Sequence, residues 1–292
     1  HSGTYSLVNE IALFHTYSSV ERVNVTSEDV VCTVLEEAKQ EDVIGQDFDL
    51  VTKMPKRLEK LTASAYSLFS WCPVAYRSSF RQGKTLVWHG ENGEGSDFGT
   101  ACHAVLRRWN FVLDNLHFLT SKFKQRNKIY DLLSSFAKTK TFKEIAELVA
   151  CGKVIREAPF DVELTYNNEK LHIVGVIDLL WQDEAGLHIR DWKTTGEENA
   201  PDGFYQKQLD FYALALHEYM KNIGKTVTID AGLIYLSSGS ETEVTSYKQS
   251  DFDAIRQNVI DCSIACAGSV FAPKENKCNS CPMANSCLQR KF

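Results

Sequence analysis

Between Arg156 and Trp192 the apolar period falls from helical to about two, and three runs follow in succession: REAPFDVELTY, LHIVGVIDLLW and GLHIRDW. Short polar turns at Asn167-Asn168 and from Asp183 to Gly186 separate them, which leaves little choice but three consecutive strands. The second and third runs nevertheless carry Asp178, Asp191 and Lys193 among their apolar residues. Burying such groups without partners is unfavourable. With the second turn centred between Glu184 and Ala185, Gln182 faces Leu187 and Asp178 faces Asp191. Directly opposed residues of an antiparallel pair have Cβ atoms roughly 4.5–5.5 Å apart. Two ionised carboxylates that close repel each other unless a cation neutralises them. Lys193, two residues beyond Asp191, shares its face. A bulge would shift this register by one.

The flanking segments place these strands. A helix is expected after Thr62 or Ser64, interrupted at Cys72-Pro73, and a longer one from Asp97 to about Leu119. The latter has Phe98, Ala101, Val105, Trp109, Val112 and Leu116 as one stripe. A basic helical region covers Lys122 to Ala150. After the strands come a helix opened by Pro201-Asp202 and closed by Gly224, a fourth strand (TVTIDAGLIYL), and a helix over Asp251–Ala267. The order implies an α/β fold with a mixed central sheet flanked by helices. Residues 1–50, without motif, form an N-terminal extension or the tail of a preceding domain, and residues 51–292 the main domain.

The net charge of −6 argues weakly against a nucleic-acid partner, but the charge is segregated. Residues 1–49 hold ten acidic side chains against two basic ones, whereas residues 51–90 and 121–143 each hold seven basic against one acidic. Local basic segments are what a phosphate backbone meets. Trp71, Tyr76, Trp88 and Trp109 would supply stacking surfaces along such a path. No apolar run is long enough to span a bilayer and no signal-peptide pattern opens the sequence, so a cytoplasmic, reducing location is expected.

Paired carboxylates beside a lysine suit Mg2+ or Mn2+, and with it activation of water against a phosphoryl group. A surface ion pair between Lys193 and a carboxylate is the competing reading of the spacing alone. Other residues bear on the choice. His103 lies off the apolar stripe of its helix, and Gln208 and Tyr212 share one face of theirs. Glu157, in the first strand, is a candidate for a supporting role. In the tail, Cys278, Cys281 and Cys287 form a C-x2-C-x5-C triplet that needs a fourth ligand, for which Cys72 is the best candidate. Four thiolates hold either zinc or a [4Fe–4S] cluster, and spacing does not separate them. Cys32, Cys102, Cys151, Cys262 and Cys266 read as buried small hydrophobes.

GTACHAVLRRW, REAPF, GVIDLLW, IRDWKT and YQKQLDFYALAL occur in the order found in RecB-type nucleases of the PD-(D/E)XK superfamily. The chain resembles that family from about Ala65 to Cys287, with Ile177 where the family's name has proline. The resemblance implies a restriction-endonuclease-like core and a metal-dependent DNA nuclease. Asp178, Asp191 and Lys193 would be catalytic, His103, Asp178, Asp191 and the Trp192 carbonyl would hold Mg2+ or Mn2+, and Gln208 and Tyr212 would position DNA. It further implies single-strand-directed, exonucleolytic cleavage in DNA repair, recombination or end processing, alone or with a helicase subunit or domain. The cysteine arrangement is similar to that of AddB-like and CRISPR-adaptation nucleases. This favours a [4Fe–4S] cluster on Cys72, Cys278, Cys281 and Cys287 within residues 272–292 and upstream, with zinc as the alternative. A catalytically silent DNA-binding or scaffolding module is the contrasting function, and the full set of expected site residues speaks against it.

Overall fold

The computed structural model describes residues 58–84, 86, 95–196, 203–242, 244–281, 283–284 and 287. The extension expected over residues 1–50 and the side chains of Trp88 and Cys32 lie outside them. Thr62 ends a short strand, β1 (Lys60–Thr62), and accepts a hydrogen bond from the Ala65 amide, starting α1 (Ala63–Trp71). Cys72 is extended and Pro73 begins α2 (Pro73–Tyr76), which runs on into a wide turn over Arg77–Arg81. Next come α3 (Gly95–Arg108), α4 (Leu116–Thr120), α5 (Arg126–Phe136) and α6 (Lys140–Ala150).

Strands β2 (Val154–Tyr166), β3 (Glu169–Gln182) and β4 (Leu187–Lys193) form the expected meander. Asn167 and Asn168 adopt positive φ (49° and 61°), the conformation of a tight hairpin turn that asparagine tolerates. Helix α7 (Phe204–Asn222) then leads to β5 (Ile229–Tyr235), parallel to β4. Finally β6 (Thr245–Tyr247) pairs antiparallel with β5, ahead of α8 (Gln249–Ala267). The long β3 carries β2 along one edge, and β1 and β4 in succession along the other, so the sheet is mixed.

Helices cover both faces. Residues of α1, α7 and α8 pack with Leu171, Ile173, Leu187 and Ile189 in one core, and residues of α3, α5 and α6 pack with Leu179, Trp192 and Ile234 in the other. Among the described residues no helix is long and apolar enough to cross a membrane.

The helix expected to reach Leu119 stops at Arg108. Arg156, on β2, donates to the Leu106 carbonyl (3.1 Å) and to that of Trp109, occupying acceptors that a continuing helix would need. Phe111 takes positive φ (59°) and folds back beside Trp109, the ring centroids 5.1 Å apart. Val112, read as part of the stripe, is exposed instead.

Candidate functional site

The register read from the turn is the one observed: Gln182 pairs with Leu187 and Leu179 with Arg190. The ladder ends there, with Asp178 and Asp191 next in line, and the Asp178 Oδ2 accepts instead from the Trp192 amide at 2.9 Å. At the same level alternation slips by one residue in two strands. Ile177 and Leu180 enter the same core from β3, as do Ile155 and Ala158 from β2. Between them lie Asp178 and Glu157, which are missing from an otherwise continuous pairing. Glu157 adopts φ +54°, a conformation unfavourable by about 1–3 kcal/mol for a side chain of this kind. The double slip turns both carboxylates toward the C-terminal end of β4.

Helix α3 brings the imidazole. Gly99, one turn before His103, lets the helix approach the strand end closely: a Cβ there would lie 3.4 Å from the Thr194 hydroxyl. His103 Nδ1 is 3.2 Å from Asp178 Oδ1. Ligand atoms of His103, Glu157 and Asp178 all lie within 4.8 Å of one another, one nitrogen and two oxygens of the types that hold a divalent cation. Asp191 is not of this trio. Its buried carboxylate pairs with the Lys193 ammonium.

The electrostatics have the same origin. Burial, with the charge of Asp178 adding to it, pushes the Asp191 carboxyl up to about 6 against the opposing pull of Lys193. Burial, and again Asp178, also raise Glu157, while His103 and Arg107 pull it down. Burial works against charge on His103, but its hydrogen bond to Asp178 and the negative charges of Asp178 and Asp191 together outweigh it, and its pKa is raised. Crowded carboxylates that resist ionisation are what a bound cation relieves.

Lys193 Nζ donates to Gln208 Oε1 at 2.9 Å, and Gln208 Nε2 donates to the Tyr212 hydroxyl at 2.8 Å. Tyr212 is buried, with Phe160 edge-on to it at 5.9 Å, and reaches the site through Gln208. His103, Asp178, Asp191, Lys193, Gln208 and Tyr212 therefore fall in one connected region. To these the structure adds Glu157, read only as a supporting residue, and Tyr205, whose ring centroid is 4.1 Å from Lys193 Nζ. The one available hint of Tyr205 was its position three residues before Gln208, on the same helical face.

Cys72, Cys278, Cys281 and Cys287 all line one cleft, closed by Trp71, Val74 and Ala75. Burial raises the Cys281 thiol, with Cys72, Cys287 and Cys278 contributing in the same direction. Cys266 lines the core rather than this cleft, its sulphur 3.7 Å from that of Cys262. Cys102, Cys262 and Cys266 are buried as expected, but Cys151 is exposed, because it follows the last turn of α6. The stacking role expected of Trp71, Tyr76 and Trp109 is corrected: all three are buried, since each packs within a hydrophobic core.

A profile of the PD-(D/E)XK nuclease superfamily matches residues 60–288. An ATP-dependent helicase/nuclease subunit from Clostridium novyi (strain NT) is 27% identical over 162 residues, and its counterpart from Clostridium beijerinckii 29% over 161. Each match takes in 45% of this chain but spans only 13% of the relative's length. The solved structure of a protein designated an exonuclease, from Eubacterium rectale, aligns over 86% of this chain and 96% of its own, with 10% identity and a TM-score of 0.46. The structure of SSO0001 aligns over 80% and 89%, with 12% identity and a TM-score of 0.39.

Proposed function

Because the chain belongs to the PD-(D/E)XK nuclease superfamily, we propose that it hydrolyses DNA phosphodiester bonds at the site around Asp178, using Mg2+ or Mn2+. The observation that carries this reading is the convergence of His103, Glu157 and Asp178 beside the Asp191–Lys193 pair. His103, Asp178 and Asp191 are the proposed ligands, with the Trp192 carbonyl and, from its place in the trio, Glu157. The mixed nitrogen and carboxylate donors suit such a cation. When bound, it supplies Lewis-acid stabilisation of charge at the phosphorus and lowers the pKa of water.

The residues of the chain do the rest. Asp178 and Asp191 provide the negative charge that makes the site selective for cations. Lys193 orients the attacking water or donates to a phosphoryl oxygen as charge develops there. Gln208, braced by Tyr212, holds the lysine in place and meets the DNA strand. The basic segments at 77–84 and 122–143 favour a strand over an isolated nucleotide. The proposed cleavage is single-strand-directed and exonucleolytic, and serves repair, recombination or end processing. The kinship with helicase/nuclease subunits supports action beside a helicase.

The four-cysteine cleft is proposed to hold a [4Fe–4S] cluster, with zinc as the alternative. Its ligands lie on either side of the nuclease core, so it would close a loop of roughly 200 residues and act structurally.

The test uses end-labelled single-stranded DNA with Mn2+. The chain should degrade it progressively and Asp191→Ala should leave it intact. Identical behaviour of the two proteins would reject the proposal.

A further inference from the structure

Lys193 donates to Gln208 Oε1 at 2.9 Å, and its ammonium is ion-paired with the buried Asp191 carboxylate. On another side of the ammonium lies the ring of Tyr205, its centroid 4.1 Å from Nζ. The lysine side chain is left only 12% exposed. Tyr205 stands in the first turn of α7, and its hydroxyl lies 3.5 Å from Thr195 Oγ1, just beyond the end of β4. The ring is thus fixed to both elements that bear on Lys193. A neutral aromatic face attracts the ammonium without bringing a further negative charge that would repel a phosphate.

We propose that Tyr205 is a positioning residue whose ring confines the Lys193 ammonium between Asp191 and Gln208. The role acts through the ring, and the hydroxyl contributes only an anchor to Thr195. The activity part of its test rests on the nuclease reading above; the labelling part does not.

Tyr205→Leu, Tyr205→Met and Tyr205→Phe are compared in the full chain, with thermal melts to verify folding. In protein free of metal and DNA, surface amines are acylated with an activated ester and Lys193 labelling is followed by peptide mass mapping. Lys193 should label at least fivefold faster in the Leu and Met variants, and at the original rate in Phe. With Mn2+ and single-stranded DNA, kcat should fall roughly tenfold in Leu and Met, which corresponds to about 1.4 kcal/mol. KM should stay within twofold, and Phe should recover kcat to within threefold. Unchanged Lys193 labelling in the ring-free variants would overturn the proposal, as would a Phe variant impaired like Leu, or a loss confined to KM. A parent protein without nuclease activity would remove the reading of the site, while the labelling would still decide whether Tyr205 confines Lys193.

Discussion

Replacing Arg156 by Met removes a partly buried guanidinium from the end of the helix that carries His103. Two interactions go with it, the bonds to the carbonyls of Leu106 and Trp109. A third is the guanidinium's approach to the Phe111 ring, 6.0 Å from its centroid. Hydrogen bonds to a charged donor contribute about 1.5–3 kcal/mol each, and an acceptor left unpaired in a buried setting keeps its desolvation penalty. Because the group is only partly buried, two such bonds discount to about 3 kcal/mol in total. For a domain of this size that corresponds to a fall of roughly 6–12 °C in melting temperature. Denaturant titration measures it directly, as a lower midpoint with unchanged slope. Arg156→Lys should recover about half, since both bonds come from the single nitrogen Nη1, whose place the shorter lysine side chain reaches only in part. A loss below about 0.5 kcal/mol in Arg156→Met, or full recovery by lysine, would refute the idea that this side chain terminates α3.

Glu157→Gln should weaken Mn2+ binding about tenfold, read by electron paramagnetic resonance, while leaving the melting temperature of the metal-free protein within a few degrees; equal affinity would exclude Glu157 as a ligand. Asp191, with a pKa raised to about 6 in the folded metal-free site, takes up a proton as pH falls through that value. Mn2+ affinity should therefore fall as pH is lowered, first as His103, whose pKa is raised above the ordinary imidazole value, takes up a proton, and more steeply below about 6 as Asp191 does so too, because protons and metal compete for both ligands. Titration calorimetry giving one affinity on both sides of that window would contradict this. Cys281→Ser should abolish iron retention and the broad visible absorbance of protein prepared without oxygen, whereas Cys262→Ser should leave both intact; iron retained in Cys281→Ser would refute the ligand assignment.

How much could be read from the residues varied with the reach of the forces involved. The β3–β4 register was legible because turn residues and a period of two act locally, and it placed Asp178 in line with Asp191. The break in Thr62–Tyr76 at Cys72-Pro73 was legible for the same reason. The end of α3 was not: the interrupting residue, Arg156, is contributed by a strand 50 residues away. The alternation slip at Glu157 and Asp178 was equally hidden, since nothing in REAPF demands positive φ at a glutamate. That slip gives Glu157 a place beside His103 that spacing did not suggest. Strands β1 and β6, of three residues each, are too short to show a period. Trp71, Tyr76 and Trp109 were misassigned because an aromatic residue in or near a basic segment reads alike whether it faces solvent or core.

The central claim is that one cation, held by His103 and the neighbouring carboxylates, makes this a DNA nuclease. The most direct measurement is cleavage of single-stranded DNA as a function of Mn2+ concentration, for the parent chain and His103→Ala. If the claim holds, cleavage is absent in chelator, Mn2+ activates it saturably, and the half-activating concentration is at least about tenfold higher in His103→Ala, in line with the loss of one ligand. Cleavage that persists in chelator, or two superimposable activation curves, would contradict it.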